Sequence, residues 1–407
     1  MSHLPSAHDA RMRLLRLAIR IYIANVVGAG WPITSWAATP PRLAVETVGP
    51  FQIVFDWKTD RCDPSETADV PPRAFRDASG MVHLAASQDT WREHVGVSLD
   101  TVKHDCRVHF RSARDADPAK LSGYEWLASP YTADGKHIDA LVHNEYHPNV
   151  LSDLCPSHRY TRCWSNTLTY VHSEDGGQTF IQPSSPKNFV AGLPYPYKAD
   201  LGFPIGYFQP SNIVEFNDFY YVLFTAPAYL KQQAGTCIMR TNNLSDPGSW
   251  RGWNGRDFSI RFVNPYTADV SDPQAHLCNP LAARLGIMGG VARDPASGAF
   301  ILVTQGGAPQ PGGHPALGIV ALASFDLISW SDPVQIWRDP SGATTSGDPR
   351  ATDHDPSILD PTSPSRNFDV LGGKPYIYFV RDDPTNRPYD RRLMRVQTHI
   401  VVSPRLQ

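Results

Sequence analysis

The chain carries little charge. Only 19% of its 407 residues are Asp, Glu, Lys or Arg, and a formal balance of −3 with a pI near 6.6 gives no electrostatic case for nucleic acid or an anionic membrane surface as partner. No run reaches the roughly 18 uninterrupted apolar residues that a spanning helix needs. Helical periodicity is hard to find after the first 38 residues. No CxxC pair occurs, and no GxSxG, Walker or Gly-rich dinucleotide motif accompanies a βα unit. Those absences leave no basis for a metal or other cofactor, and none is expected.

Turn formers are plentiful instead: 37 prolines and 29 glycines indicate a β-rich chain with many loops, long enough for one large domain or two smaller ones. The first residues differ from the rest. Arg11, Arg13, Arg16 and Arg20 precede the apolar IYIANVVGAGW, and SWAA follows at 35–38. A basic stretch, a short apolar stretch and small residues together read as a secretory leader over 1–37, cleaved near Ala37, with a single domain over 38–407. An ordinary first helix is the alternative. All six cysteines follow this segment, and an even count in an exported chain favours disulfides. Cys155 and Cys163 flank the short loop PSHRYTR and are the first pair expected; Cys237 with Cys278 and Cys62 with Cys106 follow by nearness in sequence. A secreted or periplasmic monomer is the expectation.

Residues 173–180, SEDGGQTF, follow the apolar-alternating NTLTYVH. Ser173 and Asp175 can bond back to N–H groups of a tight turn, Gly177 permits positive φ, and Thr179 and Phe180 resume an extended chain. A pattern of strand, Gly/Pro/Asp turn, apolar strand and Ser/Asp turn before an aromatic recurs five times over roughly 330 residues. PPRAFRDASGMVHLAAS opens the first copy and DPSILDPTSPSRNFDVLGGKPYIYFVRDD the last, and ASFDLISW in the fourth repeats the Ser/Asp/aromatic turn. Such repeats suit an all-β fold, a five-bladed β-propeller of four-stranded antiparallel blades, with a two-sheet sandwich as alternative. FQIVFDW at 51–57 is expected to supply an outer strand to the last blade and close the ring.

SEDGGQTF matches the Asp-box, Ser-x-Asp-x-Gly-x-Thr-aromatic, of sialidases and related β-propellers at every specified position. Most of the chain after the leader resembles the five-bladed glycoside-hydrolase propellers of the arabinanase and fructosidase type, with sialidase-like Asp-box decoration. The sialidase pattern itself is incomplete, since PPRAFRD matches an Arg-Ile-Pro motif only loosely. The resemblance implies a carbohydrate substrate, a site at one mouth of the axis, and a structural role for the box away from that site.

Three polar groups stand where inner strands would begin or second strands end. In ETADVPPRAFRD, Asp69 is a candidate base or nucleophile and Arg73 a candidate substrate contact, with Asp63 a nearby competitor. HNEYHP ends the apolar strand IDALV. Partial burial there would raise the proton affinity of Glu145, as a general acid needs, while His143 and His147 are candidates for binding hydroxyls. On a strand, 143, 145 and 147 share one face, which favours a polyol over a metal. In DHDPS, Asp355 is a second candidate base or nucleophile, with Asp353 and His354 beside the substrate; the alternative is an Asp-Pro turn. Gln209 and Arg293 complete the candidate substrate contacts, with Asp200 and Asn212 secondary. Trp91, Trp126 and Trp253 are either sugar platforms or core.

These residues describe a secreted glycoside hydrolase with axial carboxylates: Glu145 as acid, and Asp69 or Asp355 as base or nucleophile. The alternatives are a non-catalytic carbohydrate-binding propeller, and a polysaccharide lyase using His143 or Tyr146 as base.

Overall fold

The computed structural model describes residues 39–283, 285–308, 316–343, 352–383, 385 and 390–403; the expected leader over 1–37 lies outside them. Strand sequences such as FYYVLFTA (Phe219–Ala226) place apolar residues on both faces. Val222 and Phe224 pack toward one neighbouring sheet, whereas Tyr221 and Leu223 pack toward the other. A strand buried on both sides reads as a continuous apolar run. That requirement for two neighbours is what arranges the sheets in a ring.

The result is a five-bladed β-propeller. Blade I runs outward through Ala68–Arg76, Val82–Ser87, Thr90–Gly96 and Lys103–Arg111. Blade II uses Tyr124–Tyr131, Ile138–Tyr146 and Ser165–Ser173, and blade III starts with the inner strand Val214–Phe216. Blade IV begins at Ile287–Arg293 and blade V at Asp353–Leu359. Four strands per blade were expected, but blades II and III have five. In blade II, Ile205–Gly206 adds in parallel to the start of the third strand. The outermost strand of blade V is Arg42–Asp56, paired antiparallel with Arg391–Ser403, so the ring closes through the segment that includes FQIVFD. Helices are confined among the described residues to single turns such as Trp57–Asp60 and Pro148–Leu151.

Each seam has its own apolar core. Phe75 and Trp91 meet Leu127 and Phe180 between blades I and II. Leu168 and Tyr170 meet Phe224 and Trp250 between II and III, and Leu223 meets Phe300 and Leu322 between III and IV. Ile301 meets Ile377 between IV and V, and Tyr378 meets Leu84 between V and I.

The turns hold themselves. Ser173 Oγ donates to Asp175 Oδ1 (2.8 Å) and accepts from Gly177 N (2.9 Å), while Asp175 accepts from Thr179 N and Oγ1 (2.9 and 2.7 Å). Gly177 has φ 88°, and a Cβ there would stand 2.6 Å from Phe75 Cζ. Ser324 and Asp326 repeat the arrangement in blade IV. The aromatics after these turns, Phe180 and Trp330, are buried in the seams. All three expected disulfides are present, Cys62–Cys106, Cys155–Cys163 and Cys237–Cys278, with Cα separations of 5.5, 5.8 and 6.1 Å.

Candidate active site

Four of the five inner strands are irregular where they approach the axis. Their pairing slips between Ala68 and Arg73, Leu127 and Ser129, Ile287 and Gly290, and His354 and Ser357. Bulges of this kind re-aim side chains and backbone groups. There Arg73 reaches every blade. Its Nε donates to Ala128 O (2.9 Å), Nη1 to Pro72 O and Ser357 Oγ (3.3 and 3.0 Å), and Nη2 to Pro210 O and Gly289 O (3.3 and 3.0 Å). A guanidinium has five N–H groups, so none remains for a ligand. Where the sequence suggests a substrate contact, the structure shows an axial tie that closes the channel. Burial draws this guanidinium down to about 9, and Asp355 opposes the shift.

On one side of Arg73 the three candidate acids share a mouth. Glu145 ends the second strand of blade II and is buried. Its Oε2 lies 2.7 Å from His147 Nε2, and its Oε1 lies 3.6 Å from His143 Nε2. Burial, reinforced by the charges of Asp69 and Asp355, raises its proton affinity well above the ordinary carboxylate range; Asn166 opposes this. Burial also drives both histidines down, to about 3. His147 stacks on Tyr160 with ring centroids 4.3 Å apart at 14°, and Trp164 lies 5.2 Å away. Tyr160 is carried by the loop that the Cys155–Cys163 bridge closes.

Asp355 is buried in blade V, and its left-handed backbone (φ 49°) directly precedes Pro356. Such a conformation costs on the order of 1–3 kcal/mol in a non-glycine residue. Gln209, half-buried before Pro210, adopts the same conformation (φ 44°). Asp355 Oδ2 contacts His354 Nδ1 (2.7 Å), and His354 Nε2 contacts Asp382 Oδ1 (2.9 Å). Burial works against the imidazolium, but Asp355 and Asp382 outweigh it and lift His354 to about 9. Burial likewise works against the Asp355 carboxylate, and His354 and Arg391 overcome it, so its proton affinity falls below the ordinary range.

Asp69 is held from two sides. Arg391 bonds its Oδ1, while Trp126 Nε1 (3.3 Å) and Gln88 Nε2 (3.2 Å) donate to Oδ2. Arg391 Nε also stands 3.1 Å from Asp382 Oδ1, which links Asp69 to the His354–Asp355 pair through a chain of alternating charges.

Three other sequence candidates lie elsewhere. Asp353 is fully buried, and its carboxylate takes both Arg381 Nε and Nη2 (2.6 and 2.7 Å) and Trp337 Nε1 (3.0 Å). Arg293 sits four residues beyond Gly289, on the far side of Arg73, with its guanidinium over Phe216 and Phe300. Asn212 bonds across the seam to Val291. Sequence reasoning missed Arg391, Asp382 and Asn166. The signal was positional: Asp382 pairs with Arg391 in blade V as Glu145 pairs with Asn166 in blade II. Two clusters with metal-like spacing among the described residues, Cys62–His104–Cys106 and Cys155–Cys163–Asp200, have their sulfurs tied in disulfides. Oxidised sulfur offers no thiolate ligand.

No protein-family model and no curated protein matches the chain. Among solved structures it is similar to a Bacteroides ovatus protein ascribed to the glycoside hydrolases, with 12% identity, a TM-score of 0.47, and coverage of 86% of this chain and 96% of the other. It is also similar to the catalytic domain of a Coprinopsis cinerea α-L-arabinofuranosidase (9%, 0.45, 89% and 98%). A third is the Cellvibrio cellulosa α-L-arabinanase (11%, 0.42, 80% and 90%). Identities this low transfer no residue role, and the chemistry has to be read from the chain's own side chains.

Proposed function

We propose that the chain is an exported glycoside hydrolase whose acid is Glu145 and whose base or nucleophile is Asp355. The observation that carries this reading is the opposite displacement of two carboxyl groups in one mouth: Glu145 is driven toward the protonated form and Asp355 toward the charged one. Paired carboxylates with separated proton affinities are what glycosidic cleavage requires, one to protonate the leaving oxygen and one to attack or to activate water.

Asp355 suits the charged role better than Asp69. Asp69 spends both oxygens on Arg391, Trp126 and Gln88, while Asp355 commits Oδ2 to His354. Asp69 then tunes Glu145: burial raises the proton affinity of the acid, and Asp69 is the leading charge that adds to that rise. His147 and His143 orient Glu145 from either side, and Tyr160, at 46% exposure beside them, offers a face to a sugar ring. Three disulfides suit an oxidising compartment outside the cytosol.

The test is chemical rescue on aryl glycosides. Asp355→Ala should be inactive and regain turnover with azide, giving a glycosyl azide of inverted configuration, while the anomer first released by the wild type reports retention or inversion. Rescue of Asp69→Ala with none for Asp355→Ala would transfer the role to Asp69. An unsaturated uronate among products from a polysaccharide would replace hydrolysis by elimination.

A further inference from the structure

A second cleft lies at the outer junction of blades II and III. It is an open groove of about 1030 Å³, lined by Tyr170 and His172 from blade II and by Arg261, Phe262 and Asn264 from blade III and the loop after it. His172 is six residues from Asn166 on the same strand, hence about 20 Å along it from the acids at roughly 3.3 Å per residue. Binding sites for small organic ligands fill roughly 300–1,000 Å³, so the cleft has room for several rings of an extended chain.

Two polar groups in its wall are left incomplete. Asn264 is 5% exposed; its Oδ1 accepts from Tyr266 N (3.0 Å), which fixes the orientation of the amide, and its Nδ2 is buried with no partner. His172 Nδ1 is likewise buried without one. Native buried donors are nearly always satisfied, and each exception needs an explanation. His172 and Tyr170 stack with ring centroids 5.8 Å apart at 17°, and Phe189 and Phe262 add apolar floor. Charge in the wall cancels, with Lys187 and Arg261 against Asp246 and Asp269. An aromatic floor with unspent amide and imidazole groups and no net charge matches the alternating apolar faces and hydroxyls of a neutral glycan, and selects against a polyanion.

We propose that this cleft is a second, non-catalytic binding site for a neutral polysaccharide chain. It rests on the carbohydrate reading of the axial mouth while using none of its residues. By holding the polymer remotely, it raises the local concentration of cleavable bonds at the acids.

The experiment measures retention of the full chain in gels containing linear arabinan, arabinoxylan or mixed-linkage β-glucan, with polygalacturonate as the charged comparison. At least one neutral polymer should retard the wild type and Glu145→Gln alike, with no dependence on salt. Asn264→Asp keeps the acceptor for Tyr266 and removes the donor, and should weaken retention by about tenfold, the loss of roughly 1.4 kcal/mol. His172→Ala, made independently, should do the same. Both variants should hydrolyse small aryl glycosides as the wild type does, so failure of the axial reading shows in that assay alone. Absence of retention on all three neutral polymers would overturn the proposal. So would salt-sensitive retention on polygalacturonate only, or unchanged retention in both variants.

Discussion

His147 Nε2 and Glu145 Oε2 stand 2.7 Å apart in surroundings that drive both toward their neutral forms. Both directions favour a protonated carboxyl group beside a neutral imidazole over a carboxylate–imidazolium pair. A protonated carboxyl beside an ionised Asp355 is the resting state that acid catalysis of glycoside cleavage needs. Glu145→Gln should preserve the fold and slow hydrolysis of substrates with poor leaving groups by about 10² to 10⁴-fold. Aryl glycosides with acidic leaving groups need less protonation and should suffer less. Steady-state kinetics across a leaving-group series checks this, and a uniform loss would count against Glu145 as the acid.

The activity profile should be bell-shaped. Activity is lost as pH falls through the depressed proton affinity of Asp355 and as it rises through the elevated one of Glu145. Removing the charge of Asp69 relieves part of the elevation, so Asp69→Asn should move the alkaline limb of kcat/KM to lower pH and leave the acid limb in place. Profiles of the two proteins on one substrate decide the point.

His354 makes a separate prediction for stability. Its affinity is raised in the fold to about 9 from an ordinary 6.5, so its contribution is complete below the unfolded value and is lost as pH rises through about 9. Thermal melts of the wild type should fall across that alkaline window, and those of His354→Gln should fall less. The same variant deprives Asp355 of its cation, which should shift the acid limb of activity upward.

Asp175 stands apart from this chemistry. It secures its turn through Thr179 and Ser173, and losing such a bond costs on the order of 1 kcal/mol. Asp175→Ala should melt at a lower temperature while the folded protein keeps its turnover. A folded but inactive variant would assign the turn a role in the site.

The Cys155–Cys163 bridge bears on Glu145 through Tyr160, which stacks on His147. Replacing both cysteines by serine should leave the ring folded and release that stack. Misplacement of a catalytic group by about 1 Å costs up to roughly 10² in rate, so kcat should fall by an amount within that limit while far-UV circular dichroism is unchanged.

Much of the fold was legible because its determinants are local. Turn residues stapling their own backbone, apolar runs of strand length and cysteines close in sequence each declare themselves within a few residues. Closure through 51–57 was legible because an apolar stretch ahead of the first repeat had no partner of its own. In the site, Glu145 stood out as a carboxylate ending a buried run. Asp353 and Asp355 were both placed at the site, one as a substrate contact and one as base or nucleophile, since residues two apart share a strand face. The register slip between His354 and Ser357 separates them, burying one acid against Arg381 and delivering the other to the mouth. Arg73 was opaque for a related reason. Its five acceptors come from five blades, and no spacing in sequence announces where they converge.

Ring closure sets an order of events during synthesis. Asp56 and its ion-pair partner Arg392 are 336 residues apart in the chain, yet they share one edge of blade V. At about 5–20 residues per second, the strand Arg42–Asp56 waits from roughly a quarter of a minute to about a minute for its partner to be made. Blades I to IV can form their seams one after another in that interval, but the edges that blade V will join stay open, and open edges invite pairing with other chains. Arg391–Ser403 is thus the strand that seals Arg42–Asp56, and a nascent chain released before it is made would leave the ring unclosed.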